Sequence, residues 1–218
     1  MDIDSLIISS GENLLPHWQC KGAVYHISFR LVDSMPQSVR KKWIHERECL
    51  IENAKEQYKQ LNLSKESLEK FVKETERKAL HLYSEQKEKY LDAGHGKCYL
   101  SIPEIAKMTA DSLIHFDNAR YRLHAWCIMP NHVHVIVEIM PDYDLSEIIH
   151  SWKSYIAHMA NKILGLTESF WQPDAYNHII RSEKEYRFQI QYVWENPEKA
   201  RLKNWEWRWK ICIDDHAS

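Results

Sequence analysis

Residues 121–139 read YRLHAWCIMPNHVHVIVEI, and the rest of the chain is understood from this stretch outward. Two segments, YRLHAWCIM and HVHVIVEIM (the second reaching Met140), have strand length and are rich in β-branched and aromatic residues. Met129-Pro130-Asn131 lies between them, where a proline marks a break rather than a central strand, so the segments can pair as adjacent antiparallel strands. Strand side chains alternate between faces. His132, His134, Ile136 and Glu138 therefore share one face. Val133, Val135, Val137 and Ile139 share the other, which is the better core face. Two imidazoles one pleat repeat apart can reach a single cation. They also suit two hydrogen-bonded or exposed polar residues at a strand edge, in a chain with 13 histidines.

Upstream, residues 1–20 read as an irregular lead-in, and AVYHISFRLV (Ala23–Val32) alternates as a strand. A lysine- and glutamate-rich tract follows to about Leu91. Its apolar residues recur at three and four: Trp43, Leu50, Ile51, Ala54, Tyr58, Leu61, then Leu68, Phe71, Val72, Leu80 and Leu82. This predicts a helical hairpin over 36–95, its second helix capped by Asn62 or Ser64, with Ser67 a further choice. DAGHGK (Asp92–Lys97) breaks it. IPEIAKMTADSLIHFDNA is an amphipathic helix with Pro103 at a tolerated early position.

Downstream, LSEIIHSWKSYIAHMANKIL is a helix that stops at Gly165. Tyr176–Arg181 is a short strand. SEKEYRFQIQYVWEN is a helix opened by a capping box, Ser182 with Glu185, and Pro197 is expected to end it. The tail ARLKNWEWRWKICI either adds a strand or drapes over the surface. Without the inserted hairpin, the order is β-α-β-β-α-β plus a final helix. That is the α+β, ferredoxin-like split-βαβ arrangement with an antiparallel sheet. The expected domain spans 21–205, with the insertion inside it and a C-terminal tail at 206–218.

Bulk composition narrows the function classes. A length of 218 residues suffices for one core-burying domain with an insertion. Only five glycines are present, and no G-x-G-x-x-G or P-loop string occurs, which argues against a nucleotide-cradling loop. A formal charge of -2 does not advertise non-specific nucleic-acid binding, although a local basic surface can exist on a neutral protein. Five scattered cysteines without a C-x-x-C pair fit reduced thiols. The acidic N-terminus lacks the features of a signal peptide and no membrane span is evident, so a cytoplasmic location is expected.

The run HAWCIMPNHVHVIVEI resembles the corresponding region of the single-tyrosine HUH transposases, most closely the REP-associated tyrosine transposases. In that family a W-x-x-M/L-P-N/E-H-x-H run enters the central strand. Trp126, Met129, Pro130, Asn131, His132 and His134 fill those places here. The family then carries a W-x-x-x-K helix, from which the adjacent Trp152 and Lys153 here depart in spacing, F-W-Q followed by H-x-I-R, and Y-I-x-x-N-P-x-K-A. This chain has Trp152 and Lys153, Phe170-Trp171-Gln172, His178-Ile179-Ile180-Arg181, and Tyr192-Val193-Trp194-Glu195-Asn196-Pro197-Glu198-Lys199-Ala200. The likeness spans about 21–35 and 99–203. The tract from 36 to 95 has no counterpart.

The resemblance implies an HUH endonuclease fold and a metal-dependent single-stranded DNA nicking and joining enzyme working through a 5′-phosphotyrosine. Tyr192 takes the place of the nucleophile. His132, His134 and Asn196 take the places of the metal ligands, with Mg²⁺ or Mn²⁺ as the cofactor. Residues four apart on a helix share a face, so Tyr192 and Asn196 point the same way. Tyr155 is the second choice of nucleophile, and Tyr186 is a further tyrosine on a nearby helix. DNA contacts are expected at Trp152, Lys153, Arg181, Lys199 and Arg201, within basic charge that also includes Lys184, Arg187, Lys203, Arg208 and Lys210. Trp205, Trp207 and Trp209 either join them or cover the core edge. The implied partner is single-stranded or hairpin DNA, bound by a monomer or homodimer. Two alternatives stand: a non-catalytic DNA-binding protein that keeps the fold, and a His-x-His metalloenzyme acting on small molecules.

Overall fold

The computed structural model describes residues 22–60 and 64–212. The lead-in expected over residues 1–20 and the last part of the tail, 213–218, lie outside them.

The strands are β1 (Val24–Arg30), β2 (Tyr121–Ile128), β3 (His132–Ile139), β4 (Tyr176–Ile179) and β5 (Arg208–Lys210). They form one sheet in the order β4-β1-β3-β2-β5, and every neighbouring pair is antiparallel. β1 and β2 both run against β3, so they are parallel to each other with β3 between them. This is the split-βαβ signature, and the fold class is α+β. The turn is as tight as the Pro-Asn sequence suggested: Met129 N–H donates to the His132 carbonyl at 2.8 Å.

Helices α3 (Pro103–Ile114) and α4 (Leu145–Leu164) cover one face of the sheet, and α5 (Glu183–Lys199) covers the other. The larger core joins Val133, Val135, Val137 and Ile139 to Ile105, Leu113, Ile148, Trp152 and Ile156. The smaller core joins Ile136, Ala125, Cys127 and Met129 to Ile190 and Val193. Both faces of β3 are thus buried, and the alternation read from its sequence divides them. Asp144 caps α4 by accepting from the N–H groups of Ser146 and Glu147, at 2.7 and 3.1 Å. Gly165 ends α4 in the left-handed conformation, at φ 65°.

Residues Met35–His95 form a separate compact unit. Within it α1 (Gln37–Gln60) and α2 (Lys65–Asp92) run antiparallel, with Trp43 against Tyr90 at one end and Tyr58 stacked on Phe71 at the other. Ser64 is the cap of α2. No residue of α1 is buried, which explains why its sequence is charged around most of its circumference.

Two expectations are corrected. Pro197 does not end the last helix: α5 continues to Lys199. A proline removes one donor and strains one carbonyl, and near the end of a helix one more turn tolerates this. Leu202 N–H then donates to the Pro197 carbonyl at 2.8 Å. The domain also does not close at 205. Residues 208–210 of the expected tail are the edge strand β5, with Trp209 opposite Trp126.

Candidate active site

Cross-strand register places His26, Ser28 and Arg30 of β1 opposite Ile136, His134 and His132 of β3. Directly opposite residues share a face, so this polar row lies on the α5 side of the sheet. His132 and His134 are 0% and 1% exposed, with ring centroids 4.8 Å apart and planes nearly perpendicular. A ring nitrogen of each lies within 4.8 Å of the other's. The Nδ1 of His132 is 2.7 Å from Asn131 Oδ1, and the Nδ1 of His134 is 3.0 Å from His26 Nε2. Both rings are therefore anchored through Nδ1, and Nε2 is the nitrogen each could offer to a cation.

α5 brings the remaining groups. Its buried residues Ile190, Val193, Asn196 and Pro197 recur at three- and four-residue spacing and set the helix on the sheet. Tyr192 flanks that stripe. Its ring stands edge-on to His134 at 5.8 Å and to His26 at 6.0 Å. Lys199 Nζ lies 4.4 Å from the centroid of the Tyr192 ring. One turn beyond Tyr192, Asn196 is 0% exposed, and neither its Oδ1 nor its Nδ2 has a hydrogen-bond partner among the described residues. Burying an amide that way costs about 1–3 kcal/mol, which a bond from Oδ1 to a cation would offset. Two imidazole nitrogens and a buried amide oxygen fit a divalent cation.

Trp152 and Lys153 are both engaged within the protein. Trp152 is 2% exposed and its indole N–H donates to Tyr121 Oη at 2.9 Å. Tyr121 in turn donates to the Leu113 carbonyl at 2.7 Å, so this aromatic pair pins α4 to β2 and α3. Lys153 Nζ donates to the Gln172 and Pro173 carbonyls at 2.8 and 2.7 Å, and burial pushes its pKa down. A tryptophan on an amphipathic helix looks the same in sequence whether it faces core or solvent. Tyr155 is exposed on α4, a helix on the opposite face of the sheet from Tyr192.

Arg181, Lys184, Arg201 and Lys203 are exposed. The other cations are tied down: Arg187 to Glu183 at 2.8 Å, Arg208 to Glu198 and the Trp194 carbonyl at 2.6 Å, and Lys210 to Gln191 at 3.0 Å. Trp205 donates to the Ile128 carbonyl at 2.7 Å and Trp207 packs on the core, leaving Trp209 as the exposed member of the three. Glu185 accepts from Arg181 N–H at 2.8 Å and bonds His178 at 2.6 Å, so its side chain ties β4 to α5 instead of closing the reciprocal half of the capping box.

Sequence reasoning missed His26, His124 and Phe188. β2 shifts register between Leu123 and Ala125, which turns His124 toward α5. There it bonds Tyr186 Oη through Nδ1 and faces Glu138 at 3.6 Å through Nε2. Burial lowers the His124 pKa, with Glu138 opposing. Burial is the largest cause because the ring is nearly enclosed, and it outweighs the charge and hydrogen bonding of Glu138. Phe188 is 65% exposed and stacks on Tyr192 at 6.4 Å, one turn earlier on the helix.

Residues 106–196 match the family of IS200-like transposases, and this stretch carries His132, His134, Tyr192 and Asn196. Over 80 residues, 36% of its length, the chain is 32% identical to a REP-associated tyrosine transposase of Escherichia coli strain K12. The match spans about half the length of that relative, 46%. A solved structure of a REP-associated tyrosine transposase bound to a REP hairpin aligns over 88% of this chain and 76% of its own, at 15% identity and TM-score 0.47. A crystal structure described as a transposase candidate from Deinococcus radiodurans aligns over 87% of this chain and 98% of its own, at 10% identity and TM-score 0.36.

Proposed function

We propose that the chain nicks and rejoins single-stranded DNA beside a hairpin, using Tyr192 as nucleophile and a divalent cation at His132, His134 and Asn196. The observation that carries this reading is Tyr192 standing edge-on to His134 with the unpartnered Asn196 amide one turn away. A packing tyrosine would not need a buried, unsatisfied amide beside it. The match of residues 106–196 to IS200-like transposases supports it. The REP-associated name of the curated relative supports hairpin-forming repeat DNA as substrate.

In this reading, Tyr192 Oη gives up its proton to solvent and attacks the scissile phosphorus, and solvent returns a proton to the leaving oxygen. A Tyr192 O–P bond forms, the bond from phosphorus to the 3′ oxygen breaks, and that oxygen leaves as a 3′-hydroxyl after taking up a proton. The 5′ side stays on the enzyme as a phosphotyrosine. Rejoining is the reverse attack by a 3′-hydroxyl, so no nucleotide energy is needed. A bound Mg²⁺ or Mn²⁺ supplies charge stabilisation at the phosphate oxygens. Lys199, beside the Tyr192 ring, adds positive charge where the phosphate must arrive. Exposed Arg181 and Arg201 are proposed to hold the backbone of the strand. Tyr192 packs on the histidines of its own chain, which supports use of the nucleophile in cis.

The test is incubation of wild type and Tyr192→Phe with a labelled hairpin carrying a single-stranded flank, with Mn²⁺ or with chelator. A covalent adduct that needs both Tyr192 and metal is the expected result. An adduct from Tyr192→Phe would reassign the nucleophile. Hairpin binding without any adduct from wild type would favour the non-catalytic DNA-binding protein.

A further inference from the structure

We infer that His26 is a positioning residue that holds His134 in the tautomer able to bind a cation. The inference rests on the cation site proposed above. His26 lies on β1, outside the stretch matched to the transposase family. It pairs in register with Ile136 of β3 and His178 of β4, so its side chain joins the row facing α5. Its diagonal neighbour there is His134. The rings lie 5.2 Å apart, tilted by 39°, with His26 Nε2 3.0 Å from His134 Nδ1. His26 is 6% exposed, and Tyr176 and Tyr192 each meet its ring edge-on at 6.0 Å. These neighbours fix the orientation of the imidazole.

Between two neutral imidazoles the shared hydrogen can sit on either nitrogen, and the choice decides what His134 can do. If Nδ1 of His134 donates to Nε2 of His26, the Nε2 of His134 keeps its lone pair and can bind a cation. If Nε2 of His26 donates instead, the Nε2 of His134 must carry a proton and cannot bind. Only the first arrangement gives both histidines the same state, because His132 can donate Nδ1–H to Asn131 Oδ1. Asn131 and His26 thus do the same work for the two histidines from different strands. Partners of this kind typically change metal affinity by about 10–100-fold when removed.

Two measurements decide it. Long-range ¹H–¹⁵N spectra of the metal-free wild-type protein, above the pH at which imidazoles are charged, report which nitrogen of His134 is protonated. Protonated Nδ1 with bare Nε2 is the expected result, and the reverse tautomer overturns the inference. Mn²⁺ titration followed by calorimetry then compares wild type, His26→Gln and His26→Phe, with thermal unfolding in chelator as the folding control. Phenylalanine has no acceptor and should weaken Mn²⁺ binding by about 10–100-fold, whereas glutamine, whose Oε1 accepts the same hydrogen, should restore most of it. A folded His26→Phe protein that binds Mn²⁺ like wild type refutes the role. Equal loss in both variants also refutes it, by making His26 a ligand. If wild type binds no Mn²⁺, the cation site itself falls, and the His134 tautomer still decides what His26 does.

Discussion

Asn196→Leu separates stability from function in a direction opposite to most core substitutions. Leucine has the same branched skeleton as asparagine and no polar atoms. Asn196 is fully buried, and its Oδ1 and Nδ2 have no hydrogen-bond partner among the described residues. Removing an unsatisfied buried amide should relieve about 1–3 kcal/mol of desolvation cost. For a chain of this size each kcal/mol moves Tm by about 2–4 °C, so in chelator the variant should melt about 2–12 °C above wild type. Metal reverses the comparison. At about 100-fold excess over Kd a cation would stabilise wild type by about 2.7 kcal/mol, and a variant lacking one of the three proposed ligands should gain much less. The assay is thermal unfolding of both proteins in chelator and in Mn²⁺, alongside adduct formation with hairpin DNA. The expected pattern is a variant more stable without metal, less responsive to it, and inactive. An Asn196→Leu protein that melts below wild type in chelator would refute the reasoning, because it would mean the amide already has partners in the metal-free protein.

Trp152→Phe should lose the hydrogen bond to Tyr121 and some packing, costing about 1–3 kcal/mol by urea unfolding while leaving hairpin affinity unchanged. A selective loss of DNA binding would restore Trp152 as a contact. His124 is held neutral by burial, so its folded pKa lies below the ordinary ~6.5. The stability it contributes is fully present above pH ~6.5 and is lost as pH falls toward the depressed folded value. His124→Gln should therefore show a shallower fall in urea midpoint across that window than wild type, and parallel curves would contradict this. Phe188→Ala should scarcely change stability, since the ring is 65% exposed, but should weaken single-stranded DNA binding by about 1–3 kcal/mol if a base stacks beside Tyr192. Unchanged affinity by fluorescence anisotropy would remove Phe188 from the DNA path.

Alternation along β3 and the Pro-Asn turn before it were sufficient for the sheet's centre, because a period of two has one reading wherever both faces must be filled. The caps Asp144, Ser182 and Gly165 sit at helix ends where local chemistry demands them, although the glutamate of the Ser182 box found other partners. Pro197 misled because a proline forbids one hydrogen bond, not a further turn near a helix terminus. The burial of Trp152 was not legible, because its exposure depends on what packs against α4, and periodicity assigns a stripe to the core without saying how wide the stripe is.

By itself, the sequence determined the split-βαβ order, the shared face of His132 and His134, and the shared face of Tyr192 and Asn196. Each is a local consequence of strand or helix period. Tertiary structure alone decided that α5 lies across the face carrying the histidines, that β1 delivers His26 to His134 from 108 residues away, and that the tryptophan tail supplies the fifth strand. Those relations depend on which strands become neighbours. Pairing between distant segments is set by the burial of whole faces, which no local pattern records.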